Sequence, residues 1–453
     1  MKSWKILTLG AALAVATTTL TGCSSTGEDT AGGKTTVKVS IEPGLDKGAV
    51  DAFNARVAQF EAANPDIDLV PQEFKWDATT FTAKLAGGTL PDVITVPFTD
   101  GRGLIERKQI ADISGLVAAL PYATKFSPQV AKAGSTDDGK MWAIPIAAHG
   151  QALHYNRTLF KQAGLDPDKP PSTWDEIRAD AKQIAQRTGQ AGYAQLTTDN
   201  TGGWILTTLD YAFGGRTEQL TGDKATATLD TPQMTQVMRM MRTMRWDDNS
   251  MGANFLYDWN GINQDFAAGR IGMYVSGGGN YGSLKAQNAI KPEDYGVTVL
   301  PLAGQDAGVL GGGTLAAVAP KASEKVKAAA VKWIDFYYLR KQTDQAAAVT
   351  DAKTTADSHE AVGSPELPVF DKATYDQRLS WISQYVNVPV NQMTPYTTKM
   401  FDQPLIPEPT RSTQQVYGLL DPVAQKVLTD RDADIPALLT DAQAQAQALL
   451  DRP

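Results

Sequence analysis

The chain has one cysteine, Cys23, and three histidines in 453 residues. A lone cysteine excludes an intramolecular disulfide, so a large core has to hold the folded body together. His149, His154 and His359 show no metal-ligand spacing, and no second ligand type clusters with them, so no metal and no other cofactor is expected. A G-x-S-x-G nucleophile turn is missing as well. Gly277-Gly-Gly279-Asn-Tyr-Gly282 satisfies a dinucleotide pattern but lies deep in the chain, and the acids after it, Glu293 and Asp294, come too early. Basic excess is also lacking. Lys and Arg number 42 against 50 Asp and Glu, a net charge of -8, which argues against nucleic acid as a partner. No apolar run reaches the roughly 20 residues of a membrane-spanning helix.

What is present begins with an export leader. Lys2 and Lys5 precede an apolar run over residues 6–16, the charged and hydrophobic regions of a secretory signal. Leu20-Thr21-Gly22-Cys23 then resembles the bacterial lipobox, which implies cleavage after Gly22 and lipidation of Cys23. Residues 24–36 are small and polar and read as a flexible tether. The expected address is the extracellular face of the cell membrane, with the bilayer touched only through the lipid.

From residue 37 the pattern is that of an α/β protein. Residues 37–41 and 67–71 alternate as strands, and 93–96 is an apolar strand of the buried parallel kind. Phe53, Val57 and Phe60 have helical spacing over 49–63, and 78–86 reads as a short helix. Thr173 and Glu176 have capping-box spacing at the start of a helix that runs to Gly189. Residues 323–340 and most of the chain from Thr413 are helical in pattern. About 420 mature residues suit two α/β domains.

Four segments, in order, resemble family 1 of the extracellular solute-binding proteins of ABC importers, the maltose-binding-protein group. They are Gly88-Thr-Leu-Pro-Asp-Val93; Gly139-Lys-Met-Trp-Ala-Ile-Pro145 with His154 to Asp166 and Pro171 to Glu176; Phe266-Ala-Ala-Gly-Arg-Ile-Gly-Met273; and Gly311-Gly-Gly-Thr-Leu-Ala-Ala-Val-Ala-Pro320. The resemblance implies two α/β lobes around an interlobe ligand cleft. By analogy the N-lobe takes 37–145 plus 310–360 and the C-lobe 146–309 plus 361–453, after a signal at 1–22 and a tether at 23–36. It further implies a non-enzymatic receptor, monomeric, that closes on a di- or oligosaccharide and docks on ABC permease subunits. An exported glycoside hydrolase, or a receptor for peptides or another polar metabolite, stands as the alternative; a hydrolase needs a carboxylate pair across the cleft, and no pair is marked.

A sugar site wants hydrogen-bonding side chains for the hydroxyls and aromatic rings for the C–H faces. The chain holds nine tryptophans. His149 stands at the family's first crossing between lobes, where a relative carries a ligand-contacting acid; a structural hinge histidine is the plain alternative. Glu42 and Asp46 follow the first strand, and Asp100 falls in a Gly-containing stretch, Thr99-Asp-Gly-Arg-Gly103, read as a loop. Trp76, Trp204, Trp259 and Trp381 are candidate stacking platforms or core aromatics. Relatives often carry Trp where this chain has Gly279, so Asn280 or Tyr281 is expected to take over that contact. Gly312 allows close approach of the backbone to a ligand, or marks a hinge bend.

Overall fold

The computed structural model describes residues 30–31, 33–45, 47–222, 224–409 and 411–452. The leader, Cys23 and Asp46 lie outside the described residues. Among those described, no helix is long and apolar enough to cross a membrane.

Alternation makes Lys34–Ile41 a strand, β1, with Val37 and Val39 fully buried. Helix α1 (Lys47–Ala63) packs Phe53, Val57 and Phe60 inward. Strand β2 (Ile67–Glu73) then runs parallel to β1, and β3 (Val93–Pro97) joins β1 in parallel on the other side. The loop expected at 99–103 is instead part of a helix, α2 (Phe98–Glu106). Gly101 is required there for contact and not for a turn, because a Cβ would run into Leu315 and the Ala133 carbonyl.

Two long strands serve both lobes. The far half of β4 (Ile144–Asn156) is flanked by β5 (Met273–Gly277) and β6 (Tyr295–Val299). Its near half pairs antiparallel with β7 (Val309–Val318). One end of β7 continues onto β3, while its other end takes the short parallel strand β8 (Leu405–Pro407). A backbone shared in this way couples the lobes and leaves only a narrow waist for bending.

Each lobe has its own core. In one, helix α3 (Trp174–Thr188), helix α4 (Thr201–Ala212) and the far half of β4 bury Tyr155, Ile184 and Leu206. The other centres on Trp333 of helix α5 (Glu324–Ile334), which meets Phe53 and Phe60 edge-on at centroid distances of 5.8 and 5.5 Å. Helix α6 (Lys372–Ile382) belongs to a small separate cluster with Ala348, Ala352 and Val362. The chain ends in helices α7 (Thr413–Thr429) and α8 (Ile435–Leu450), both packed on the core around β4's far half. Leu405, on the segment that leads there, touches both large cores.

The start of α3 shows how locally such elements are encoded. The Thr173 hydroxyl accepts from Glu176 N–H at 3.1 Å, and the Glu176 carboxylate accepts from Thr173 N–H at 3.1 Å, closing the capping box. Gly189 ends the helix at φ +73°. Thr173→Ala is expected to lower unfolding free energy by about 1 kcal/mol, read as a shifted urea midpoint with unchanged slope.

Candidate functional site

Where the two lobes face each other, the shared strands floor a cavity of about 910 Å³. Glu42, at the end of β1, Thr95 of β3 and Thr314 of β7 line it from the first lobe. Gly279, Ser283 and Gln287, which follow β5, line it from the second. Residues 360–370 and α6 close the side, contributing Glu360, Glu366, Tyr375 and Arg378. Arg378 presents a buried Nε that has no partner among the described residues. Gly279 leaves its space to Glu366, whose Cγ would lie 3.2 Å from a Cβ at that position.

Ala147 and Thr314, paired across β4 and β7, belong to the cavity floor. Two residues further along the same strand faces, His149 pairs with Gly312. The His149 ring lies over Gly312, with Nε2 2.5 Å from where a Cβ would stand. Leu405 occupies the same kind of space at Gly311, and Phe98 at Gly313. Burial lowers the His149 pKa, which keeps the ring neutral, with one donor and one acceptor nitrogen.

A second group of polar residues sits on the seam. Asp100, in the first turn of α2, accepts from the Thr99 hydroxyl at 3.3 Å and from the Trp76 indole N–H. Burial raises its pKa against the Thr99 hydroxyl, the Arg107 charge and the Trp76 indole. The Glu408 carboxylate, just past β8, accepts from the Tyr417 hydroxyl of α7 at 3.2 Å. Burial pushes Glu408 up to about 7; the Tyr417 hydroxyl opposes this and the Asp100 charge adds to it. Tyr417 in turn presses on the N-terminal turn of α4, where a Cβ at Gly203 would strike its backbone. Asp421, one turn further along α7, caps that end of α4 by accepting from Asn200 N–H at 2.7 Å and Gly203 N–H at 2.9 Å.

The expected site residues divide accordingly. Glu42 lines the cavity, exposed and 3.8 Å from Lys75. Trp76, Asp100, His149 and Gly312 belong to the seam and the strand floor beside it. Trp76 is half-buried on Phe81, with ring centroids 4.7 Å apart. Trp204 is half-buried on α4, next to the Gly203–Tyr417 contact. Trp381 packs on the small cluster whose Ala352 and Val362 line the cavity. Trp259 starts a helix and packs on the core around β4's far half.

Asn280 and Tyr281 do not reach the cavity. Asn280 is buried, its amide donating to Asn263 at 2.8 Å and Tyr274 at 2.7 Å. Tyr281 is fully buried against Tyr295 at 4.8 Å, which leaves no ring face for a ligand. Sequence reasoning missed Glu366, Arg378, Glu408 and Tyr417. Their segments come from distant parts of the chain and carry no motif; the Pro-rich stretch around 365–368 and the Pro-Glu-Pro at 407–409 were the only hints of ordered turns.

Two α/β lobes with shared strands and a polar cavity at the waist define a cleft-binding protein. The chain belongs to the family described as bacterial extracellular solute-binding protein, which matches residues 55–367. A putative binding protein of Brucella abortus (strain 2308) is 27% identical over 53% of this chain and 57% of its own length, so the match spans little more than half of that relative. The sn-glycerol-3-phosphate-binding periplasmic protein UgpB of Escherichia coli (strain K12) is 24% identical over 74% of each chain. In fold, the cyclic alpha-maltosyl-1,6-maltose binding protein from Arthrobacter globiformis aligns with a TM-score of 0.70 at 23% identity, covering 92% of this chain and 99% of that one.

Proposed function

We propose that the protein is the lipid-anchored receptor of an ABC importer and closes its lobes around a di- or oligosaccharide. The observation that carries this reading is the interlobe cavity of about 910 Å³, at the upper end of the roughly 300–1,000 Å³ usual for small-molecule pockets. Its lining offers hydrogen-bonding side chains, Glu42, Gln287, Thr314 and Glu366, and the rings of Tyr338 and Tyr375. Such a set suits hydroxyl groups and sugar faces. Arg378 and Lys341 also line the cavity and would meet a phosphate, so the sugar reading is tested against the glycerol phosphate named for the Escherichia coli relative. A thermal-shift panel of maltotriose, sn-glycerol 3-phosphate, mannitol and a tetrapeptide tests the class. Stabilisation by maltotriose alone supports the sugar reading, and stabilisation by the phosphate ester alone defeats it.

One observation favours a hydrolase as the second reading: burial raises both Asp100 and Glu408, the latter to about 7, which suits a general acid. Family membership weighs against it. Incubation of the protein with maltotriose decides, because product formation supports the hydrolase and unchanged sugar supports the receptor.

The anchor has its own test. Cys23→Ser is expected to move the protein from the membrane fraction into the medium while ligand affinity stays the same. Retention in the membrane would defeat the lipid reading of Cys23.

A further inference from the structure

We propose that the ligand is an acidic sugar, held through a carboxylate or phosphate group by Arg378 on the side wall of the interlobe cavity. Arg378 is half-buried on α6 and lines the cavity together with Tyr375, one turn earlier on the same helix face. Its neighbours Leu379 and Ile382 pack into the small cluster with Ala352 and Val362, so the turn that carries the guanidinium is fixed.

The guanidinium itself is left unmatched. Its Nε is the one arginine nitrogen among the described residues that is buried without a partner. No carboxylate of the described residues forms an ion pair with it. Arginines held elsewhere in the fold are met by the protein. Arg157 pairs with Asp168, Arg216 donates to the Asp306 carbonyl at 2.9 Å, and Arg245 donates to the Leu428 and Gly252 carbonyls at 3.2 and 2.7 Å. A guanidinium cannot shed its charge, and one taken partly out of water without an acceptor is costly. On the wall of a binding cavity, an anion that arrives with the ligand removes that cost, because the arginine fork takes two oxygens of a carboxylate or phosphate at once. Ser364 gives a second sign. Its Oγ, on the same side of the cavity, is also buried without a partner.

The other charges of the lining limit how many anions fit. Lys341 is matched by Asp351 at 3.5 Å, and Glu42 by Lys75 at 3.8 Å. Glu360 and Glu366 line the same side as Arg378, and their carboxylates form no ion pair among the described residues. They would repel a second anion and accept hydrogens from hydroxyl groups. One acidic group among hydroxyls is the chemistry of a sugar acid or a sugar phosphate, and not of a polyanion.

Titration calorimetry on the mature chain with Cys23→Ser tests this with matched probes. Maltotriose is compared with maltotrionate, which adds a carboxylate, and trehalose with trehalose 6-phosphate, which adds a phosphate. At least one acidic member is expected to bind about tenfold tighter than its neutral counterpart, and the larger preference names the anion. Arg378→Gln should erase the preference. Arg378→Lys, which keeps the charge and loses the fork, should reduce it, and serves alone if the glutamine variant does not fold. A preference unchanged in these variants overturns the proposal, and so does a parent protein that binds neutral and acidic members equally.

The inference rests on the reading of the chain as a sugar receptor, and sn-glycerol 3-phosphate separates the two. Binding of the neutral sugars with no preference for an acid sinks the anion alone. Binding of sn-glycerol 3-phosphate but of no sugar, lost in Arg378→Gln, keeps the anion seat and sinks the sugar. Binding of no probe sinks both.

Discussion

His149→Ala and Trp204→Ala should each weaken binding of the sugar by about 1–3 kcal/mol, the size of a lost hydrogen bond or a lost aromatic contact. Isothermal titration of the two variants checks this. The expectation for His149 comes from its position and its protonation state. Its ring lies at the waist over Gly312, and burial lowers its pKa, so it offers a donor and an acceptor together. A hydroxyl group can use both. His149→Gln, which keeps an amide donor and acceptor, should recover part of the loss; recovery sets a lost hydrogen bond apart from a lost packing contact. Trp204 stands at the start of α4, beside the Gly203–Tyr417 contact, with part of its surface free. Trp204→Phe should retain more affinity than alanine, because a ring face survives. Unchanged affinity in both alanine variants would remove these residues from the site and leave the fold standing.

The second large effect is on stability. Gly203→Ala is expected to lower unfolding free energy by about 3 kcal/mol, the upper part of the range for overpacked cores. In an exposed helix the same change helps by about 1 kcal/mol, so a loss here measures the contact and not the helix. The contact is unforgiving because the added Cβ would meet the Tyr417 backbone, which no rotamer change can move aside. Asp421 ties the same turn to α7 through two N–H groups, so the helices cannot simply separate. Denaturant unfolding checks the prediction, and a variant as stable as the parent would mean that α7 shifts freely. Because Tyr417 also holds Glu408, the variant should disturb the seam as well.

Local signals carried much of the fold. Val37 and Val39 alternate with polar neighbours and are buried in β1, as the pattern requires. Thr173 and Glu176 state the start of α3 between them, since both bonds of the box lie within four residues. The resemblance supplied the two-lobed plan, which no single element announces. Asp100 was placed in a loop because Gly101 and Gly103 look like turn residues. The reason for Gly101 is a neighbour more than two hundred residues away, Leu315, and sequence spacing does not carry that information.

The site was less legible for the same reason. Asn280 and Tyr281 follow β5 just where a cleft residue is expected, yet both point into the core around β4's far half, to Asn263, Tyr274 and Tyr295. Which way a side chain faces after a strand end is decided by packing from elsewhere. Tyr417, which holds Glu408, is brought to Gly203 by tertiary structure alone, and Arg378 reaches the cavity from a helix with no signature of its own.

The glycine run on β7 has a mechanical side. At Gly311, Gly312 and Gly313 the strand brings no side chains, and the room is taken by Leu405, His149 and Phe98, which arrive from three different segments. Such a strand behaves like a smooth bearing: side chains resting on bare backbone can slide by fractions of an ångström without hopping between rotamer wells. Rotation at the waist would then be graded and not stepped. A single methyl group at Gly312 would stand 2.5 Å from His149 Nε2 and push the ring off its seat, giving the joint a preferred angle.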